Sequence, residues 1–387
     1  MANDSSLKIL LITEGSGGHL IPALQVATLL ATRGARIKVW YAKRSQTASL
    51  AEALTHDAAA AAIDVDPIPV RSSSSLMERL WACGQLWQKA QRCFDTFAPD
   101  VVVGFGGWVS APVVLAARLR RTARPVASRR RIGCLLHEQN VVMGRANQWL
   151  ARWVDRVALS FRDTQAQLDG TPAVITGLPV RRAIGCWSRA QAAEQFGVSP
   201  AQPTLLVLGG SQGSRALNRL MPQVAERLAE EERRRWQILH LTGPADTAAV
   251  RETYAAHHIR AWVAPLLVEM EAAYALADLV LARAGASTIA ELARCGTPAV
   301  LIPYPHAGGH QRANARLVET AGGGVLIEEA DATPESVLAS IRRILTDERL
   351  RHMMGEQMRG LSCADAAERL TEAIEALARH PGRPAGS

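Results

Sequence analysis

KILLITEGSGGHLIP, residues 8–22, consists of a short apolar run, a glycine-rich turn and the first residues of a helical pattern. A run of four to eight apolar residues bounded by glycines is typical of a buried strand in a parallel sheet. Glycines let a ligand approach the backbone closely, and the N–H groups at a helix N-terminus attract anions. This stretch therefore predicts a strand–turn–helix unit whose turn can bind a phosphate or a sugar phosphate.

The same pattern recurs along the whole chain, with short apolar runs alternating with helix-period segments, as in βα units of a parallel sheet. It begins again at residues 204–218, TLLVLGGSQGSRALN, with a second glycine-rich turn. The 387 residues suffice for two domains, since one domain holds about 150 to 200 residues. We predict an α/β fold of two Rossmann-like domains with parallel sheets facing a cleft. The predicted domains are residues 1–179 and 180–379, with the last helix able to pack back on the first domain, followed by a disordered tail at 380–387.

The net charge is distributed unevenly along the chain. The sequence carries 44 Lys and Arg against 36 Asp and Glu, a formal net charge of +8. Residues 1–180 contain 21 basic and 13 acidic residues, net +8, whereas residues 181–387 contain 23 of each. Excess positive charge suggests an anionic partner, so we expect such a partner to meet the first half.

Two segments of the first half suggest that this partner is an anionic membrane surface. No acidic residue occurs from 101 to 137, where seven arginines cluster: Arg118, Arg120, Arg121, Arg124, Arg129, Arg130 and Arg131. Residues 75–94 predict an amphipathic helix that begins with a Ser75/Glu78 capping box. Its apolar stripe runs through Leu76, Leu80, Trp87 and Phe94. Two interpretations stay open: the stripe packs on the sheet, or the helix lies on a bilayer.

Other features of the sequence exclude several classes of protein. Six cysteines occur without CxxC or CxxH spacing, which predicts neither a zinc site nor a disulfide framework and fits a reducing cytoplasm. The N-terminus lacks the basic and long apolar regions of a signal peptide. The longest uncharged apolar stretch, residues 101–117, is shorter than the roughly 20 residues that span a bilayer. Aromatic residues make up only 5%, which argues against stacking on nucleic acid.

The first glycine-rich turn ends in His19, after Ser16, Gly17 and Gly18. A histidine side chain titrates near pH 6.5, so it can act as a general base at neutral pH. The other interpretation is a tight βα turn with His19 at the entrance of the helix. The sequence alone leaves both open.

The second half offers two further loops that could bind a nucleotide. Residues 209–213 form a glycine-rich turn without a Walker lysine, which predicts diphosphate binding by the backbone and disfavours a P-loop NTPase. In residues 278–315, Thr288 and Glu291 fit a capping box, or Glu291 accepts hydrogen bonds from a ribose diol. His310, Gln311 and Asn314 follow a buried strand, either as ligand contacts or as a solvated helix start.

Six motifs in order make the chain resemble the MurG family of GT-B glycosyltransferases. They span nearly the whole chain: GSGGHLIPALQVA, GFGGWVSAPVVLAA, HEQNVVMGRANQWLA, TGLPVR, GGSQGSRALN and RAGASTIAELARCGTPAVLIPYPHAGGHQRANA. The resemblance implies inverting transfer of N-acetylglucosamine (GlcNAc) from UDP-GlcNAc to the MurNAc 4-hydroxyl of lipid I, giving lipid II for peptidoglycan. It implies no cofactor and no metal. It also implies peripheral attachment to the cytoplasmic side of the inner membrane and contacts with cell-wall synthesis and division proteins, with no nucleic acid.

The resemblance also implies roles for individual residues of this sequence. In the first domain, Ser16, Gly17 and Gly18 would lie near the donor phosphates and the acceptor, His19 would be the base, and Asn140 would lie near the donor sugar. In the second domain, Arg181 would contact the nucleotide, Ser211 the diphosphate, and the backbone at Leu267 the uracil. Glu291 would bind the ribose hydroxyls, and Gln311 with His310 the GlcNAc hydroxyls. The segment that wraps the nucleotide would be Ala286, Ser287, Thr288, Ile289, Ala290 and Glu291.

The sequence departs from the family pattern at two places. Ser16 stands where threonine is usual, which keeps the hydroxyl, and Gly308 and Gly309 stand where many members have acidic residues. The departure at the glycine pair concerns the donor sugar and not the nucleotide. Three alternatives therefore stay open: a UDP-GlcNAc 2-epimerase, a glycosyltransferase for another glycolipid, and a non-catalytic nucleotide-sugar-binding partner of a cell-wall complex.

Overall fold

The computed structural model describes residues 6–43, 63–69, 76–123, 131–210 and 212–379. The chain divides into two compact units. Unit 1 comprises residues 1–180 and 365–387, and unit 2 comprises residues 181–364. Ser75, the predicted tail at 380–387, and Arg124, Arg129 and Arg130 lie outside the described residues.

Unit 1 is built on a seven-stranded, all-parallel sheet of order β3-β2-β1-β4-β5-β6-β7. Its strands are β1 (Lys8–Glu14), β2 (Arg36–Lys43), β3 (Asp64–Pro69), β4 (Val101–Gly104), β5 (Gly133–Glu138), β6 (Arg156–Leu159) and β7 (Ala173–Ile175). Its helices are α1 (Gly17–Thr32), α2 (Leu76–Thr96), α3 (Ser110–Ala123) and α4 (Arg145–Ala151), with a 3-10 turn at Arg162–Gln167. The central strands are buried along their length, as expected when helices cover both faces of a parallel sheet.

Unit 2 repeats this architecture with a six-stranded, all-parallel sheet of order β10-β9-β8-β11-β12-β13. Its strands are β8 (Thr204–Leu208), β9 (Gln237–Leu241), β10 (Ala261–Ala264), β11 (Leu279–Ala282), β12 (Ala299–Leu301) and β13 (Gly324–Leu326). The first helices are α5 (Arg189–Phe196), α6 (Arg215–Glu226), α7 (Glu230–Arg235), α8 (Thr247–Ala256) and α9 (Met270–Leu276). Those that follow are α10 (Ala286–Cys295), α11 (His310–Thr320), α12 (Pro334–Thr346) and α13 (Glu348–Gly360), with a 3-10 turn at Glu329–Asp331. Both units are therefore Rossmann-like α/β folds, as the sequence predicts.

The last helix, α14 (Ala366–Arg379), belongs to unit 1 although it follows unit 2 in the chain. Its Leu370, Ile374 and Leu377 are buried in the same apolar cluster as strands β1 and β4 and helix α1. Leu377 lies so close to Gly133 that a Cβ added there would meet its Cγ at 2.9 Å. The helix therefore completes one face of the unit 1 sheet.

Helix α2 divides into a buried part and an exposed first turn. Leu86, Ala90 and Phe94 pack into the core under the sheet. Met77, Leu80 and Trp81, by contrast, are 76%, 59% and 67% exposed. The interpretation in which this stripe packs on the sheet is thus correct at Phe94 and wrong at Leu80, which lies in the exposed first part of the helix.

The basic cluster predicted at 118–131 carries less free charge than its sequence suggests. Arg120 donates to Gln91 at 3.1 Å and lies 2.5 Å from the Asp95 carboxylate on the neighbouring helix α2. Arg131 lies 3.3 Å from Asp155. Acidic residues distant in the sequence therefore neutralise part of a segment that itself contains none.

Candidate functional site

The first glycine-rich turn lies at the carboxyl end of β1, where α1 begins at Gly17 rather than after His19. The Ser16 carbonyl accepts hydrogen bonds from the N–H groups of His19 and Leu20, at 3.0 and 2.9 Å. His19 therefore sits in the first helical turn, and its Nδ1 lies 3.0 Å from the Ser16 hydroxyl. This hydrogen bond orients the imidazole ring through Nδ1, and Nε2 is the ring nitrogen that does not contact Ser16.

A polar cavity of about 60 Å³ lies beside His19. Its walls include Gly106 and Gly107 after β4, the segment His137–Asn140 at the end of β5, and Asn147 on α4. Gly106 has a φ of +84°, and a Cβ there would lie 3.6 Å from the His19 ring. Three of the motifs found in the sequence thus contribute to one cavity, and it contains two predicted site residues, His19 and Asn140.

Glu138 organises the loop that forms one wall of this cavity. Its Oε1 accepts from the backbone N–H and side-chain amide of Asn140, at 2.9 and 3.2 Å. Its Oε2 accepts from the Gly144 N–H at 3.0 Å and from Asn147 Nδ2 at 2.8 Å. In the sequence Glu138 stands out only as part of the HEQN motif, since nothing in the local pattern shows that its carboxylate turns back on its own loop.

His137 is fully buried next to Glu138. Its Nε2 lies 3.2 Å from the Gly177 carbonyl oxygen, and its ring packs against Phe105 with centroids 5.4 Å apart. Burial lowers the pKa of His137 to about 4, so the ring is neutral at pH 7. A group with so low a pKa is a weak proton acceptor, so His137 is a poorer candidate for the base than His19.

In unit 2, the second glycine-rich turn follows β8 and is held tightly against the loop after β9. Gly213 has a φ of +77°, and a Cβ there would lie 2.0 Å from the Thr242 carbonyl oxygen, so only glycine fits. Ser214 begins α6 and accepts a hydrogen bond from the Leu217 N–H at 3.4 Å. Ser211, the residue predicted to contact a diphosphate, lies outside the described residues.

Arg283 ties this turn to the neighbouring strands and was missed by sequence reasoning. It is buried, and its Nε donates to the Ser214 hydroxyl at 3.0 Å. Its other nitrogens donate to the Ile302 carbonyl at 3.0 Å and pair with Glu329. Arg283 therefore links the start of α6 to the residues that follow β12.

The capping-box interpretation of Glu291 is wrong. Helix α10 begins at Ala286 with Gly285 as an extended N-cap and no side-chain cap. Glu291 is thus the sixth residue of the helix, too far along it to cap its N-terminus. Its Oε2 instead accepts a hydrogen bond of 2.7 Å from the hydroxyl of the buried Tyr274. The predicted segment Ala286–Ala290 forms the open first turns of α10, with Ser287 and Thr288 half-exposed.

Arg181 positions the loop that contains Leu267. It donates to the Val268 carbonyl and lies 3.3 Å from the Glu271 carboxylate. Leu267 is half-exposed in the loop between β10 and α9. Burial raises the pKa of Glu291, and the nearby Arg181 charge opposes part of this rise. The structure therefore brings Arg181, Leu267 and Glu291 into one neighbourhood.

His310 and Gln311 form the first turn of α11. Gln311 Oε1 accepts from the Tyr304 N–H at 2.9 Å, and Asn314 donates to the Ala284 carbonyl at 3.1 Å, just before α10. Gly308 and Gly309 have φ values of +59° and +84°, which favour glycine. The glycine pair thus shapes the entry to α11.

Substituting Glu291 by glutamine is expected to stabilise the protein at neutral pH. Burial raises the pKa of Glu291, the opposing effects of Tyr274 and Arg181 being smaller. The folded state therefore holds this proton more tightly than the unfolded state does, and ionisation costs stability as the pH rises above about 4.5. We expect E291Q to melt at a higher temperature than the native protein at pH 7 and at an equal one near pH 4. A difference independent of pH would contradict the assignment.

Both units match models of one enzyme class. Residues 9–159 match the glycosyltransferase family 28 N-terminal domain, and residues 204–370 match the glycosyltransferase family 28 C-terminal domain. The fold and the two glycine-rich turns are thus those of a two-domain glycosyltransferase of the GT-B type. The chain belongs to glycosyltransferase family 28.

Relatives that share one enzyme name span nearly the full length of the chain. A protein of Desulfotalea psychrophila is 34% identical over 96% of both chains. One of Clavibacter sepedonicus is 36% identical over 97% of this chain and 98% of its own. Both are named UDP-N-acetylglucosamine--N-acetylmuramyl-(pentapeptide) pyrophosphoryl-undecaprenol N-acetylglucosamine transferase. The crystal structure of Acinetobacter baumannii MurG superposes with a TM-score of 0.71 at 27% identity, covering 96% of this chain and 99% of that one.

Proposed function

We propose that this protein transfers GlcNAc from UDP-GlcNAc to the 4-hydroxyl of the N-acetylmuramyl unit of lipid I, with inversion at the anomeric carbon. The observation that carries the proposal is the His19–Ser16 pair at a polar cavity, in a chain whose transferase-named relatives cover 96% of its length. Acceptor chemistry is assigned to unit 1 and donor binding to unit 2.

His19 is the group that removes the proton from the acceptor hydroxyl. Its Nδ1 is engaged by Ser16, so Nε2 is the nitrogen that takes the proton. A base placed in this way typically contributes about 10²- to 10⁴-fold to the rate. The deprotonated oxygen attacks the anomeric carbon of the donor as UDP departs.

UDP is bound by backbone amides and a few side chains of unit 2. The glycine-rich turn before α6 and the uncapped first turn of α10 both present helix N-termini, which stabilise the charge of a leaving diphosphate. Arg181 and the Leu267 loop bind the base, Glu291 the ribose hydroxyls, and Gln311 with His310 the sugar. In this arrangement Tyr274 keeps the Glu291 carboxylate in one orientation.

The test is an assay of purified protein with UDP-GlcNAc, with and without a lipid I analogue. We expect UDP release and a disaccharide product only when the acceptor is present. Formation of N-acetylmannosamine from UDP-GlcNAc alone would identify a 2-epimerase, and binding without any turnover would identify a non-catalytic protein. Either result would overturn the proposal.

Membrane attachment on the cytoplasmic face is proposed through the exposed turn of α2. Met77, Leu80 and Trp81 are the most exposed large apolar side chains of the described residues, and Leu119 on the adjoining helix α3 is 48% exposed. Apolar side chains beside cations are typical of segments that insert into the interface of an anionic bilayer. Within the described residues, no helix is long and apolar enough to cross a bilayer.

Replacing Met77, Leu80 and Trp81 together by serine is expected to lower binding to anionic vesicles at least about tenfold, since each buried apolar side chain contributes about 1.5 to 3 kcal/mol. Flotation with phosphatidylglycerol vesicles at moderate salt measures the change. Met353→Ser, at a methionine of unit 2 that is 53% exposed, is the control. Equal flotation of the triple variant and the control would rule out this surface.

A further inference from the structure

Two carboxylates, one guanidinium and one phenol lie together in unit 2. They belong to Glu271 and Tyr274 on α9, Glu291 on α10 and Arg181 before α5. Glu271, Tyr274 and Glu291 are buried, and the Arg181 side chain is 15% exposed. Buried charges are normally paired in folded proteins, so two carboxylates beside a single cation indicate a further partner for one of them.

The contacts within the cluster show which carboxylate pairs with the cation. Arg181 lies 3.3 Å from Glu271 Oε2 and also donates to the Val268 carbonyl. Glu291 Oε2 instead accepts from the Tyr274 hydroxyl at 2.7 Å. Burial, and to a smaller extent the Glu291 charge, raise the pKa of Tyr274, so this hydroxyl keeps its proton and is the donor. Glu271 therefore has the cation, and Glu291 has a neutral donor on one oxygen.

The second oxygen of Glu291, Oε1, has no hydrogen-bond partner among the described residues and remains accessible. The fully enclosed side-chain atoms of unit 2 that lack a hydrogen-bond partner within the described part of the chain are Arg181 Nε, Glu271 Oε2 and Glu329 Oε2, and none belongs to Glu291. Ser287 and Thr288 stand four and three positions before Glu291, so they share its face of α10, and both are half-exposed. Oε1 therefore lies on the side where the first turns of α10 are open.

We propose that Tyr274 and Glu271 are positioning residues that make Glu291 selective for the ribose diol of the nucleotide; this rests on the proposed function. Tyr274 holds the carboxylate through Oε2 and leaves Oε1 to accept from a hydroxyl. Glu271 holds the Arg181 guanidinium, which would otherwise pair with Oε1 and exclude the hydroxyl. A nucleotide with a diol donates to Oε1, whereas one without it leaves a buried charge unpaired.

The first test measures the dissociation constants of UDP and 2′,3′-dideoxy-UDP for the native protein by isothermal titration calorimetry. We expect UDP to bind about 10- to 100-fold more tightly, since the dideoxy form leaves a charged acceptor without its hydrogen bond. Equal affinities would overturn the inference, whereas the proposed function would still stand on transfer to a lipid I analogue. Absence of UDP binding would overturn both.

The second test uses Tyr274→Phe, which removes the hydroxyl and keeps the ring. We expect the preference for UDP over the dideoxy form to fall to about threefold or less, because Glu291 is no longer held, while the affinity for the dideoxy form stays within about twofold of the native value. Tyr254→Phe is the matched control: Tyr254 is also 2% exposed, and its hydroxyl lies 2.9 Å from His240 Nδ1. Equal weakening of both nucleotides with the preference kept would indicate a merely structural role and overturn the inference.

The third test uses Glu271→Gln, which keeps the size of the side chain and removes its charge. Glu291 is then the remaining carboxylate of the cluster for Arg181, so we expect the preference for UDP to fall at least about threefold. Glu269→Gln is the matched control, because Glu269 is exposed two positions earlier and accepts from Gln195 at 2.9 Å. An unchanged preference in Glu271→Gln, or an equal loss in Glu269→Gln, would overturn the inference.

Discussion

Replacing His19 by alanine is expected to lower kcat about 100- to 10,000-fold, the range that a positioned general base contributes. The KM for UDP-GlcNAc should change little, because His19 belongs to unit 1 and donor binding is assigned to unit 2. Steady-state kinetics with a lipid I analogue at saturating UDP-GlcNAc measure the effect. Retention of near-normal turnover would show that another group takes the proton.

Ser16→Ala is the matched control for this variant. It keeps the imidazole but removes the hydroxyl 3.0 Å from Nδ1. One hydrogen bond of this kind contributes about 0.5 to 1.5 kcal/mol, so we expect a loss of roughly 2- to 12-fold. A loss as large as that of His19→Ala would mean that the serine takes part in the chemistry itself.

Glu138→Gln is expected to cost about 2 to 4 kcal/mol of the free energy of unfolding and to lower activity with it. The carboxylate receives four hydrogen bonds, two on each oxygen. An amide keeps one oxygen and turns an NH₂ group towards the two donors on the other side, and each buried group left unpaired costs about 1 to 3 kcal/mol. Urea unfolding followed by a signal from unit 1 measures the change.

Glu372→Gln provides the control for charge loss, since it is the same substitution at an exposed position of α14. We expect it to alter stability by less than about 0.5 kcal/mol, as for most surface substitutions. If Glu138→Gln behaved like this control, the loop at 139–147 would not depend on the carboxylate.

The sheets and the glycine-rich turns could be predicted from the sequence because their signals are local. Buried parallel strands appear in the sequence as apolar runs, and the glycines of residues 209–213 indicate a turn. The start of α10 was predicted less well. Thr288 and Glu291 have the spacing of a capping box. The helix nevertheless begins earlier, at Ala286 after the N-cap Gly285, so both residues lie inside it.

Residues that act through tertiary contacts could not be found from the sequence. Tyr274 meets Glu291 across 17 positions, and Arg283 meets Ser214 across 69. Neither pair has a periodicity or a fixed spacing in the sequence from which its contact could be predicted. Glu138 is the opposite case, because its partners are at most nine positions away. An acidic residue followed closely by Asn140, Gly144 and Asn147 could have suggested a carboxylate that binds its own loop.

Helix α2 shows that two interpretations of one pattern can each hold for part of it. Its period predicts a single apolar face, yet Phe94 is buried and Leu80 is exposed. The sheet beneath the helix contacts only its later turns, and the length of that contact cannot be read from the helix itself. The first turn is then left for another surface.

The return of α14 to unit 1 determines the order in which the two units can fold during synthesis. Unit 2 consists only of residues 181–364, all of which precede α14 in the chain, so its core can close without α14. Unit 1 began earlier but lacks Leu370, Ile374 and Leu377, which cover its sheet beside β1 and β4. The part of the protein that the ribosome makes first is therefore the last to be finished, and until then its exposed apolar face is the surface on which a chaperone would act.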